Sequence, residues 1–236
     1  KLKKISLLKN YTPTKKNLKS IYFDDLNYNL FKNKIGLRLR EFNGNWEQTL
    51  KLELTGTKRI EWNKKFTNKN LIKINRFYLP DKKTLEKDYN INFDYAKTMI
   101  ELKKKFYVDV ERTSWVFDYL DGKLELSYDL GKIINGINEK KISEIDIELV
   151  KGEPSLIWTF AIDFLKILPF SCLETRTKVL RGILLDKKNH YLLSDLKKNN
   201  MISDDPISNL ISEHKTLTFF FSMFIDHKKY FDKKIF

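Results

Sequence analysis

The chain has 236 residues, 42 % of them hydrophobic and 14 % aromatic, which is enough for a substantial core and excludes global disorder. Its 45 basic and 31 acidic residues give a formal charge of +14, which favours anionic partners: phosphates, nucleic acid or a membrane surface. Cys172 is the only cysteine, so an internal disulfide and a thiolate-built zinc site are both excluded, and His190, His214 and His227 lack metal-ligand spacing.

Taken in chain order, residues 1–9 read as the end of a helix, and Pro13 with the lysines after it as a connector. Residues 20–25 predict a short strand and 27–33 a loop or turn. Residues 36–42 predict a strand, Asn43-Gly44-Asn45 a hairpin turn, and 46–55 the returning strand. A further extended segment follows over 59–66. Residues 67–92 are polar and read as loop, and 93–104 has helical spacing. Residues 106–119 and 123–130 read as strands turned by Asp121-Gly122, with 131–141 as a turn-rich link and 142–150 as an acidic strand. Pro154 suits the first turn of a helix running to about Leu168, and 175–185 reads as a last strand. Alternation stops after about Tyr191. The division expected is a main unit over 1–190 and a helical appendage, or the start of a second helical domain, over 191–236.

No membrane span is predicted. Residues 156–170 are interrupted by Asp163 and Lys166, and 217–225 is too short to cross a bilayer. No secretory signal opens the chain, which begins at Lys1 without a methionine. A cytoplasmic setting is expected.

The strands carry the chemistry. In residues 143–149, Glu144, Asp146 and Glu148 share one face and Ile145, Ile147 and Leu149 the other. Arg38 and Arg40 alternate with Ile35, Leu37 and Leu39. Lys51 lies among Leu50, Leu52 and Leu54, and Glu125 and Asp129 among Leu124, Leu126 and Tyr128. Burying such charges unpaired costs several kcal/mol each, so cationic and anionic strands are expected to face one another across a wet interior. The apolar faces then point outward, beneath the amphipathic segments 93–104 and 154–168. Arginine and lysine suit phosphate, and carboxylates suit a divalent metal held together with phosphate oxygens. A half-exposed antiparallel sheet would show the same alternation.

The order of motifs adds to this. Tyr22-Phe23-Asp24, the run Ile35–Arg40, Trp46–Lys51, Arg59–Trp62, Glu111–Trp115, Glu125–Gly131, Ser143–Leu149 and Thr177–Gly182 follow one another as in the CYTH superfamily of triphosphate tunnel metalloenzymes. The chain resembles its inorganic triphosphatase branch over residues 20–185. The resemblance implies an α+β fold: an antiparallel eight-stranded β-barrel, or tunnel, with a charged interior and flanking helices. To this the sequence adds a small C-terminal helical segment.

The resemblance also implies metal-dependent hydrolysis of inorganic triphosphate or a related triphosphate, with Mg2+ or Mn2+ as cofactor. Arg38, Arg40, Lys51, Arg112, Lys178 and Arg181 match its phosphate-binding cations, and Arg59 belongs with them. Glu61, Glu125, Asp129, Glu144, Asp146 and Glu148 match its inward acids and are the expected metal-site residues, the last three lying on the acidic strand that helps hold the metal. No Glu-x-Glu-x-Lys strand precedes Leu7; in that family such a strand opens the chain, and here it is expected upstream of Lys1. Its loss would leave a triphosphate-binding module without catalysis. Thiamine triphosphatase and adenylate cyclase activities are family alternatives. No helix-turn-helix, zinc or RNA-binding signature supports specific nucleic-acid binding.

Overall fold

The structure is a computed structural model, and it describes residues 6–53, 58–66, 77, 80, 95–167, 171–173, 176–192, 217–221 and 223–224. Seven long strands form one antiparallel sheet: β1 (Thr14–Asp24), β2 (Ile35–Phe42), β3 (Asn45–Glu53), β4 (Lys58–Phe66), β5 (Lys103–Tyr119), β6 (Gly122–Asn135) and β7 (Asn138–Lys151). Their spatial order is β4-β3-β2-β1-β5-β6-β7. Three short strands lie beyond the edges. Of these, β8 (Ser171–Leu173) and β9 (Leu217–Phe221) continue parallel from β7, and β10 (Met223–Phe224) lies parallel to β4.

Turn chemistry sets the hairpins. Asn43 and Gly44 both adopt positive φ, 50° and 77°, the left-handed pair that a two-residue hairpin needs to match strand twist. Leu120 and Asp121 join β5 to β6, and Gly136 and Ile137 join β6 to β7.

Helices cover both faces. The amphipathic helix α3 (Ser155–Ile167) buries Leu156, Ile157, Phe160, Ala161 and Phe164 against Trp115, Phe117, Leu124, Leu126, Ile145 and Ile147. The apolar faces of β2 and β3 pack with Phe23, Leu30, Phe66 and Leu102. Leu30 belongs to the short helix α1 (Asn29–Lys32), and Leu102 follows α2 (Tyr95–Ile100). The charged sides therefore lie on the opposite face, as the alternation requires. Helix α4 (Lys178–Leu184) sits on that face, its Leu180 and Ile183 packed with Phe106, Ile133 and Ile142. A Cβ on Gly182 would lie 2.4 Å from the Phe106 ring, so only glycine lets α4 come this close.

Several expectations are corrected. The lysine-rich connector after Pro13 is the first half of β1, because β5 offers it a full ladder from Thr14 to Asp24. The loop 27–33 contains α1, whose first N–H groups are met by two carboxylates: Asp25 accepts from Asn29 N at 2.9 Å, and Asp24 accepts from Leu30 N at 3.0 Å and Phe31 N at 2.9 Å. The turn-rich link 131–141 is strand on both sides of Gly136-Ile137. The last strand over 175–185 is helix α4, capped by the Thr177 side chain accepting from Leu180 N at 3.2 Å. Residues 217–221 and 223–224 are strands where helical spacing was expected, and residues 6–8 form a single 3-10 turn. The loop expected over 67–92 falls almost wholly outside the described residues. The sheet is not a closed barrel: among the described residues β4 and β7 are not partners, and the antiparallel strands number seven rather than eight.

Candidate functional site

Register brings the predicted charges onto one face. Arg38 stands opposite Thr49 and Tyr22, Arg40 opposite Glu47 and Ser20, and Lys51 opposite Gly36 and Glu61. Across the sheet Arg112 stands opposite Asp129, Asp129 opposite Glu144, Ser127 opposite Asp146, and Glu125 opposite Glu148. Side chains directly opposite in a ladder share a face. One patch therefore takes in Arg38, Arg40, Lys51, Glu61, Arg112, Glu125, Asp129, Glu144, Asp146 and Glu148. Arg59 is in register with Glu53 at the β4 edge, and its side chain lies outside the described set. Helix α4 adds Lys178 and Arg181, one helical turn apart. The corrected secondary structure thus delivers the same two cations from above the sheet rather than from within it.

The patch has two unlike halves. On the β5–β7 side the cations are neutralised. Arg112 forks onto Asp129, with Nε to Oδ1 at 2.7 Å and Nη2 to Oδ2 at 2.8 Å, and Nη2 also donates to Asp146 Oδ2 at 2.8 Å. Lys178 pairs with Glu144 and lies 3.2 Å from Asp129 Oδ2, and Arg181 Nη2 donates to Glu144 Oε2 at 2.6 Å. Burial alone would raise the carboxyls of Asp129 and Glu144. Lys178 and Arg112 together at Asp129, and Lys178 and Arg181 together at Glu144, outweigh it and hold both below the usual range.

On the β2–β3 side cations are in excess. Among the described residues neither Arg38 nor Arg40 has a carboxylate partner. Arg40 Nε donates to Ser20 Oγ at 3.1 Å, while the buried Nε of Arg38 and the hydroxyl of Thr49 have no hydrogen-bond partner among the described residues. Burial and then the neighbouring Arg38 push the Arg40 guanidinium down to about 9. Lys51, paired with Glu61, is lowered by burial and by Arg38.

The CYTH domain model matches residues 1–183. The chain belongs to the CYTH domain family. This CYTH chain is 31 % identical over 180 residues to a Haemophilus influenzae protein named inorganic triphosphatase, covering 72 % of the chain and 46 % of that protein. It therefore spans about half the length of the curated relative it matches. The fold is similar to a Bacillus halodurans crystal structure assigned provisionally as an adenylate cyclase, with a TM-score of 0.50, 20 % identity, and coverage of 71 % of this chain and 82 % of that one. A Hippeastrum structure, assigned provisionally as an adenylyl cyclase and described as having a dominant triphosphatase activity, aligns more loosely. Its TM-score is 0.42 at 16 % identity, covering 68 % of this chain and 77 % of that one, and it carries no weight in the assignment.

The acids of the CYTH site fit a hard divalent cation in a particular way. Among the described residues no three His, Cys, Asp or Glu side chains converge as a ready cage. What the sheet offers is Glu125 facing Glu148, with Asp146 beside them and its buried Oδ1 unpartnered. Mg2+ is commonly held by one or two carboxylates plus substrate phosphates, and that donor set matches. Among the described residues no helix is long and apolar enough to cross a membrane.

Glu148 supplies a pH test. Burial and then Asp146 raise its carboxyl from 4.5 to about 7. Between those values the native chain holds a proton that the unfolded chain has lost, so the Glu148 contribution to stability falls as pH rises through that window. Glu148→Gln is expected to melt higher than the unaltered chain at pH 8 and close to it at pH 5, as read by thermal unfolding at the two pH values.

Sequence reasoning gave no role to the hydroxyls of this face, Ser20, Thr49, Ser114 and Ser127, although alternation places Thr49 beside Lys51 and Ser127 between Glu125 and Asp129. The available signal was parity, since each shares the face of a named charge by even spacing or by register.

Proposed function

We propose that this CYTH domain binds inorganic triphosphate on the charged face and hydrolyses it with a divalent metal, Mg2+ or Mn2+. The observation that carries this reading is the pair Arg38 and Arg40, neither in an ion pair among the described residues, set across the face from the opposed acids Glu125 and Glu148. Two partly buried guanidiniums without an ion-pair partner among the described residues call for an anion, and two facing carboxylates for a cation. Magnesium or manganese triphosphate supplies both. The name of the Haemophilus relative supports the same substrate.

In this reading Arg38, Arg40 and Lys51 take the phosphate oxygens, with Arg59 at the strand edge. Arg112, Lys178 and Arg181 contribute cationic charge from the far side. Glu125, Glu148 and the free oxygen of Asp146 hold the metal, while Asp129 and Glu144 orient the cations and Glu61 orients Lys51. The metal, when bound, draws negative charge from the phosphoryl oxygens. The arginines fix the chain of phosphates for in-line attack by water and stabilise the charge that develops. The reading includes a division near residue 190 and a cytoplasmic setting.

A second reading, a binding module without turnover, is favoured by one observation: Asp129 and Glu144 are already engaged by Arg112, Lys178 and Arg181. Phosphate release from tripolyphosphate, with Mg2+, Mn2+ or EDTA, separates the two. Metal-dependent release that is lost in Glu148→Ala is the expected result. A tripolyphosphate-induced rise in melting temperature without release would establish the binding module. Neither effect would overturn both readings.

A further inference from the structure

A chain of hydroxyls lies beneath the acids. Ser114 and Ser127 stand opposite each other in the β5–β6 ladder, with Oγ to Oγ at 2.6 Å. Ser127 Oγ also donates to Glu125 Oε1 at 3.0 Å. Ser114 and Ser127 are 9 % and 1 % exposed, so water does not compete freely for these contacts.

The direction of the chain follows from counting protons. An ionised carboxylate only accepts, and a serine hydroxyl has a single proton to give. Ser127 spends its proton on Glu125, so in the Ser114–Ser127 contact Ser114 must be the donor. The chain runs Ser114 to Ser127 to Glu125, with one orientation throughout.

The consequence is felt at Glu125. Its cross-strand neighbour is Glu148, and two facing carboxylates repel unless something fixes them. The hydroxyl chain holds Oε1, while among the described residues Oε2 has no hydrogen-bond partner. The geometry points to Ser127 as a positioning residue: backed by Ser114, it fixes the Glu125 carboxylate so that Oε2 is presented to a divalent cation. This rests on the metal-triphosphate reading above and deepens it. Outer contacts of this kind are worth about 10–100-fold in metal affinity.

The test is Mn2+ binding to the full chain, followed by electron paramagnetic resonance of free Mn2+ with tripolyphosphate present, in the unaltered protein, Ser127→Ala, Ser127→Thr and Ser114→Ala. Tripolyphosphate affinity in EDTA is measured alongside. The expected result is about a 10-fold weaker Mn2+ dissociation constant in Ser127→Ala, a smaller loss in Ser114→Ala, and recovery in Ser127→Thr, which keeps the hydroxyl. Metal-free tripolyphosphate affinity should stay constant throughout. Unchanged Mn2+ affinity in Ser127→Ala would overturn the inference and leave the proposed function standing. So would an equal loss of metal-free tripolyphosphate affinity, since that marks general disruption. Absence of Mn2+ binding by the unaltered protein would overturn the metal reading, and this inference with it.

Discussion

Arg112→Ala is expected to lower the melting temperature by roughly 6–20 °C, the largest stability loss from removing any single charge on this face. Arg112 is only 16 % exposed, and among the described residues it is the one guanidinium forked onto Asp129, itself 2 % exposed; it reaches Asp146 as well. Removing it strands two buried carboxylates. Losing one partner of such a cluster costs about 3–5 kcal/mol, because the remaining charge keeps its desolvation penalty. Lys178, 3.2 Å from Asp129 Oδ2, compensates in part and sets the lower end of the range. Arg112→Lys keeps the charge but loses the planar fork, so it should fall between the two. Calorimetric melting of the three proteins checks this. A shift under about 2 °C in Arg112→Ala would mean that Lys178 alone neutralises the cluster.

Arg38→Ala is expected to behave in the opposite way. Turnover or affinity for tripolyphosphate should drop about 100-fold, the scale of losing one preorganised charged donor. The melting temperature should hold or rise. Among the described residues Arg38 Nε has no hydrogen-bond partner, and its charge helps depress Arg40. Deleting it therefore removes a repulsion and no native hydrogen bond of that nitrogen. Steady-state phosphate release and a ligand-free melt, run together, provide the check. A variant that loses activity and stability in parallel would show that Arg38 supports the fold rather than a ligand.

The contrast between these two arginines shows what was legible in the chain. Alternation placed both on the charged side, because strand parity is read directly from sequence. It could not tell the neutralised half from the cationic half. That depends on which strands adjoin, and β1 lies between β2 and β5 only in the folded sheet. The misread elements have equally local causes. The lysines of β1 carry little apolar alternation, and their strand exists because β5 pairs with it. Gly131 reads as a turn, yet it lies inside β6, where a Cβ would come within 2.0 Å of the Asp109 carbonyl oxygen. There the missing side chain marks close approach of two backbones rather than a bend. Residues 178–184 carry hydrophobic residues in a run short enough to suit strand or helix, and the Thr177 cap with the seat on Phe106 selects helix. The hydroxyl chain through Ser127 was hidden for a different reason. Serine carries no charge pattern, so only its place between Glu125 and Asp129 on one strand face could have drawn notice.

The position of β1 also governs how the molecule comes together. The strands β2, β3 and β4 form one up-and-down unit of neighbours in sequence, and β5, β6 and β7 form another. Each can close over links short in sequence, on a timescale of microseconds. Among the antiparallel strands β1 is the one that pairs with both units, and its Thr14 must find Ser114 far along the chain. Pairing over such a separation carries a large loop-closure entropy, so it is expected to be slower than closing either unit. The arginines of β2 lie on one side of this seam and the acids of β6 and β7 on the other, so a ligand spanning both acts as a stitch across it.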